Sequence, residues 1–245
     1  MGVPMAAMQV FARVHAAETG GAGGVSSISA NSMGNSVQVQ GASATVLDGV
    51  LSASHSQRQT FELVARQELS NAISGAGDWV CVCYGPSRGR ACQRSLFGDL
   101  QDEEESGLLP RSIHHVYQCM AGAEGELGVA LSAAYVHEDH VTDLLDPSER
   151  HLRVVDGQTT GAYVNGITAM YASSAEGAVD ILAACWSQRM SLQTDAYGHT
   201  FVTLCVRRGG GGAAGGVTTK VTFVELGGSE LARASGARSK INRGT

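Results

Sequence analysis

The chain has 245 residues, of which 43% are hydrophobic and 16% charged, a globular composition long enough for one large domain. Its 17 basic and 23 acidic side chains leave a net charge of −6, the wrong sign for a general nucleic-acid binder. No run of about 18 uncharged apolar residues is present, which excludes an ordinary membrane-spanning helix, and the first twenty residues lack the charged start and apolar block of a secretory signal.

Residues 8–14 (MQVFARV) alternate and are rich in β-formers, which predicts a strand. A glycine-rich turn follows at 18–24, then a loose hairpin over 26–40 and a short strand over 44–50. Residues 56–73 form the clearest helix: Phe61, Val64, Ala65, Leu69 and Ile73 keep helical spacing, Ser56 can cap the start and Gly75 can stop it. Residues 78–84 (DWVCVCY) are almost uniformly apolar, the pattern of a central strand buried on both faces and both edges. They run into Gly85-Pro86-Ser87-Arg88-Gly89-Arg90.

The acidic run 102–105 reads as a solvated loop. Residues 108–120 read as a helix with proline in its first turn. Further strands are expected at 127–138, 151–156, 161–165, 199–207 and 218–226, with a helix over 174–190 and a flexible glycine loop over 209–216. Strands alternating with helices indicate an α/β three-layer sandwich in a single unit, residues 1–245.

Six cysteines lie at 81, 83, 92, 119, 185 and 205 without zinc-knuckle spacing, and they read as small buried thiols in a reducing compartment. His137-Glu138-Asp139-His140 has metal-ligand residue types but no third ligand nearby, so no metal is expected there. Ser229 has no base to pair with and is not a nucleophile candidate.

Three ordered segments carry a resemblance. Tyr84-Gly85-Pro86-Ser87-Arg88-Gly89-Arg90-Ala91-Cys92 stands where a P-loop Y-G-Q-T-G-[SA]-G-K-T would stand after its strand. Gly107-Leu108-Leu109-Pro110-Arg111-Ser112-Ile113 looks like G-I-[IL]-P-R-A-[IL], and Val224-Glu225-Leu226-Gly227-Gly228-Ser229-Glu230 looks like V-D-L-A-G-S-E. Phe11-Ala12-Arg13-Val14, Asp143-Leu144-Leu145-Asp146-Pro147-Ser148, Tyr163-Val164-Asn165-Gly166-Ile167 and His199-Thr200-Phe201-Val202-Thr203-Leu204 agree in order and spacing. Together these resemble the kinesin motor domain across nearly the whole chain. Leu47-Asp48-Gly49-Val50-Leu51 and Cys83-Tyr84-Gly85 resemble the kinesin-9 group, which is associated with cilia and flagella.

The resemblance implies a mixed central sheet in a P-loop NTPase-related head and a nucleotide pocket marked by Arg13, Gly85, Ser87, Gly89, Gly228 and Glu230. The departures argue against a working pocket. A P-loop wraps phosphate oxygens with backbone N–H groups, reaches them with a lysine and ligates Mg²⁺ with a hydroxyl. Here those last two positions are Ala91 and Cys92, the inner glycines are Arg88 and Arg90, and Pro86 lacks an N–H. Of the switch I motif N-x-x-S-S-R-S-H, only the histidine remains in Thr194-Asp195-Ala196-Tyr197-Gly198-His199.

The expectation is therefore a non-catalytic pseudo-motor with no cofactor and no catalytic residues. It would be a structural or docking part of a microtubule-based assembly in the cytoplasm and cytoskeleton, the ciliary or flagellar axoneme being the expected place. The alternative is a divergent ATP-dependent motor, or a nucleotide-binding module using ATP or ADP with Mg and taking Arg88 or Arg90 in place of the lysine. Arg233, Arg238, Lys240 and Arg243 are either an ordinary basic tail or contacts to acidic tubulin. Compared with a full head, the chain is expected to lack the C-terminal part, including the strand beside 79–84. That edge is then expected to be covered by another chain, or by the 26–40 region. Tubulin or axonemal proteins are the expected partners, with no nucleic acid and no membrane.

Overall fold

Apolar strands build one mixed six-stranded sheet, and the helices bury their apolar stripes against it. The computed structural model describes residues 8–15, 28–86, 90–121, 127–148, 152–157, 161–192, 198–208 and 217–228. The glycine segments 18–24 and 209–216 lie outside them.

In chain order the elements are β1 (Phe11–Arg13), β2 (Ile28–Asn31), β3 (Ser36–Val39), β4 (Thr45–Val46), β5 (Gly49–Leu51), α1 (Gln57–Val64), α2 (Arg66–Asn71), a π-helical turn (Ala72–Ala76), β6 (Trp79–Tyr84), α3 (Ala91–Leu96) and α4 (Leu108–Met120). There follow β7 (Leu127–His137), β8 (His140–Asp143), β9 (Arg153–Gly157), β10 (Gly161–Asn165), β11 (Met170–Ala172), α5 (Ala175–Ser191), β12 (His199–Arg208) and β13 (Val217–Leu226).

The main sheet has the order β11-β7-β12-β13-β6, with β8 also on β7. All its pairs are antiparallel except β13 with β6, which run parallel with Val221 opposite Trp79 and Glu225 opposite Cys83. Every described helix contributes to one core on one face: Phe61, Leu69, Leu96, Ile113 and Leu182 meet Leu131, Val202, Phe223 and Cys81 of the strands. On the opposite face, Leu152, Val164 and Ile167 pack on Ala134, Val136 and Phe201. Asp143, fully buried, ties that excursion down by accepting from the backbone N–H groups of Leu145, Asp146 and Thr168 at 2.8, 3.2 and 2.6 Å. Three donors on one carboxylate stabilise its charge away from water.

Several elements differ from the sequence reading, each for a tertiary reason. The 56–73 helix is two helices bent at Ala65 (φ −121°), ending in the π-helical turn, where Gly75 takes φ 107°. Its predicted start is present, with Ser56 and Gln59 forming a reciprocal capping box. The 44–50 strand is split, because β4 pairs with β3 whereas β5 pairs in parallel with β1. The short strand β11 and the six-residue α3 have no clear local signal.

The largest difference is at β6. Trp79, Cys81 and Cys83 turn toward the core, but Val80, Val82 and Tyr84 are 57%, 54% and 60% exposed. β13 covers one edge of β6, and among the described residues no strand pairs with the other. The expectation of a strand buried on both faces and both edges is therefore corrected: no described helix packs over the 80–82–84 face. The 26–40 hairpin does not fill the edge either, since β2, β3 and β4 form their own small sheet. Among the described residues no helix is long and apolar enough to cross a membrane.

Candidate functional site

The region after β6 is built from the ends of β6 and β13, the start of α3, and β1 beside them. Of the expected pocket residues, Arg13, Gly85 and Gly228 are described, whereas Ser87, Gly89 and Glu230 lie outside the described residues. So do Ser229 and the basic positions Arg233, Arg238, Lys240 and Arg243.

α3 begins at Ala91 without a side-chain cap, and Arg90 before it is exposed in the left-handed region at φ 50°. Gly85 lies close to the start of α3: a Cβ there would be 3.0 Å from Cys92 Sγ. Arg13 is already engaged by the protein. Its guanidinium donates to Gln57 Oε1 at 2.7 Å and to Ser95 Oγ at 3.2 Å, while His15 Nε2 lies 3.0 Å from the same Ser95 oxygen. Burial, reinforced by Arg13 and Arg94, pulls the His15 pKa down and favours its neutral form. The Gln57 side-chain amide in turn donates to the Arg94 carbonyl at 2.7 Å. Gln57 and Ser95 were not singled out from sequence, although helical spacing places Gln57 on the same face as Phe61 and Val64.

Glu225 closes the site from β13. It is 8% exposed, and its Oε2 and the nearby Gln93 Oε1 are both buried without a hydrogen-bond partner. Burial pushes its carboxyl above the ordinary range, against the pull of the Arg189 charge and of hydrogen bonds from Gln93 and Thr200. Arg189 lies 4.1 Å over the Tyr135 ring and donates to Thr200 Oγ1 at 3.4 Å. Beyond Glu225, the Gly227 N–H donates to His199 Nδ1 at 3.1 Å, which locks the turn after β13 onto β12.

A carboxyl raised in the folded state stabilises the fold below its unfolded pKa. That contribution is lost as pH rises through the folded value. Glu225→Gln should therefore stabilise the chain at pH 8 by about 1–2 kcal/mol, a gain that shrinks as pH falls toward 4. Chemical denaturation at the two pH values measures this; a gain equal at both would show that the charge is not what costs stability.

The 102–105 loop owes its shape to backbone contacts: Arg111 donates to the carbonyls of Ser106, Glu103 and Glu104 at 2.9, 2.6 and 3.0 Å. The 137–140 segment is the tight turn between β7 and β8, with Glu138 at φ 52°. Among the described residues no group of histidine, cysteine and acidic side chains is arranged to hold a metal ion.

The kinesin motor domain family profile matches residues 14–244. This chain belongs to the kinesin motor domain family. Its curated relatives include a kinesin heavy chain of Syncephalastrum racemosum, 21% identical over 197 residues, covering 78% of this chain and 21% of the relative. Kinesin heavy chain isoform 5C of Homo sapiens is 23% identical over 203 residues, covering 80% and 21%. The chain thus spans about one fifth of the length of these relatives. A solved fast-kinesin structure matches the fold with a TM-score of 0.82 at 19% identity, over 96% of this chain and 69% of that one. The α/β kinesin-head fold with a mixed central sheet is thereby established.

Proposed function

We propose that this kinesin-like chain is a non-catalytic head, a structural or docking component of a microtubule-based assembly rather than an ATP-driven motor. The observation that carries this reading is the start of α3: Ala91 has no amine to reach a phosphate and Cys92 no hydroxyl for Mg²⁺. The surroundings agree with it. Arg13 is bound to Gln57 and Ser95, and a buried carboxyl, Glu225, faces the site from β13. The residues present do not fit a magnesium nucleotide. Phosphoryl transfer depends on the cradle, the metal and the switch acting together.

The expected location is the cytoskeleton, with the ciliary or flagellar axoneme resting on the kinesin-9 likeness of 47–51 and 83–85. Kinship favours tubulin as the contact, made through Arg233, Arg238, Lys240 and Arg243. The edge of β6 that no described strand pairs with, and its exposed valines, favour a second polypeptide laid against that strand.

Titration calorimetry with ATP and ADP, with and without Mg²⁺, is expected to give no binding heat, and microtubules are expected to stimulate no phosphate release. Saturable binding without turnover would move the chain to a nucleotide-binding module. Turnover abolished by Glu230→Ala would restore the motor reading. Microtubule pelleting should weaken with salt and fall when the four basic residues are changed to glutamate; pelleting unchanged by that variant would place the contact elsewhere.

A further inference from the structure

We propose that the Glu225 carboxyl keeps its proton and donates it to Gln93, forming an acid–amide pair that latches α3 to β13 and lets go as the pH rises. Glu225 is 8% exposed, and its Oε2 has no hydrogen-bond partner. Neither has the buried Oε1 of Gln93, although the Gln93 side chain hydrogen-bonds to the same carboxyl. Buried polar atoms are rarely left so, and two acceptors cannot satisfy each other. A single proton removes both defects. Carried on Glu225 Oε2, it is donated to Gln93 Oε1, while the Gln93 amide donates back to Glu225 Oε1. An ionised carboxylate only accepts, so it can make the second of these bonds but never the first.

The groups facing Glu225 come from four other elements. Arg189 of α5 lies 4.1 Å over the Tyr135 ring and donates to Thr200 Oγ1 at 3.4 Å. Thr200, opposite Glu225 on β12, hydrogen-bonds to the carboxyl, and its neighbour His199 has Nδ1 taken up by the Gly227 N–H. Cys83, opposite Glu225 on β6, is pushed well up by its hydrogen bond to Cys81 and by burial, so it stands as a neutral thiol. On α3, half-buried Cys92 precedes Gln93. Burial outweighs the Arg189 charge and raises the carboxyl.

The latch joins the helix that follows β6 to the strand that ends at Leu226. Its sign follows from the raised carboxyl: the latch is closed below the folded pKa of Glu225 and opens as pH rises through it. A reporter is built in. Phe97, which ends α3, stacks on Trp186 of α5 with ring centroids 4.3 Å apart, so the surroundings of Trp186 follow the seating of α3.

The test uses the full chain and two NMR readouts between pH 4 and 9. With carbon-13 in the glutamate carboxyls, Glu225, assigned through Glu225→Gln, is expected to titrate above the other glutamates. With fluorotryptophan, the Trp186 resonance should shift with the same midpoint. That shift should vanish in Glu225→Gln, whose amide can donate to Gln93 Oε1 at every pH. It should vanish also in Gln93→Leu, which has no oxygen to accept. A Glu225 carboxyl that titrates with the other glutamates, or a Trp186 shift that persists in either variant, would overturn the proposal. The carboxyl titration is made on the unaltered chain, so it decides the matter even if Gln93→Leu does not fold.

Discussion

Gly198→Ala is expected to destabilise the chain by more than about 3 kcal/mol, a loss of roughly 6–12 °C in Tm for a domain of this size. A Cβ on Gly198 would lie 2.4 Å from Tyr135 Cζ and 2.4 Å from the Val136 carbonyl oxygen, so the clash involves backbone as well as ring. The ring cannot simply swing away. Tyr135 is 2% exposed, its hydroxyl accepts from the Gly198 N–H at 3.0 Å, and Arg189 lies over its face. Displacing the ring therefore also disturbs Arg189 and, through it, Thr200 beside Glu225. Gly128→Ala is the control, since nothing lies within 4 Å of a Cβ at that position; it should stay within about 0.5 kcal/mol of wild type. Thermal melts of the two variants measure the difference, and equal melts would show that the Tyr135 packing is soft.

The second large effect is expected at β6. One edge of β6 has no partner strand among the described residues, and such an edge beside exposed Val80, Val82 and Tyr84 is a template for pairing with another chain. The chain expressed alone should self-associate at micromolar concentrations. Val82→Lys should suppress that association and leave the melting transition nearly unchanged, because the Val82 side chain is already more than half exposed. Sedimentation velocity across a concentration series reads this directly. A wild-type chain that stays monomeric throughout would remove the edge as an interaction surface.

These effects divide along the line between local and long-range information. The motif order, the Ser56 cap, the strands at 127–138, 199–207 and 218–226, and the departures of Ala91 and Cys92 from the P-loop pattern were legible in the residues. Each depends on the chain's own neighbours: alternation for a strand, spacing and a capping hydroxyl for a helix, side-chain chemistry for the pocket. Where a segment is read through contacts distant in sequence, the pattern was silent or misleading. The uniform apolar run 79–84 predicts double burial, but whether a face is covered depends on which other element reaches it, and over Val80 and Val82 none of the described ones does.

The candidate site divides in the same way. Arg13 was expected from the family likeness, yet its partners Gln57 and Ser95 lie 44 and 82 residues away, and only folding brings them to it. Glu225 was legible as a substitution for aspartate. Its burial beside Gln93 and Thr200, which raises its pKa, needed the packed ends of β12, β13 and α3. The sequence by itself determined the family, the main strands and helices and the departures of Ala91 and Cys92 from the P-loop pattern, because these reside in residue type and short-range spacing. The tertiary structure alone decided that no described strand covers the second edge of β6, that Arg13 is engaged by Gln57 and Ser95, and that Ser70, His115 and Cys119 meet, because each depends on where separate segments come to rest.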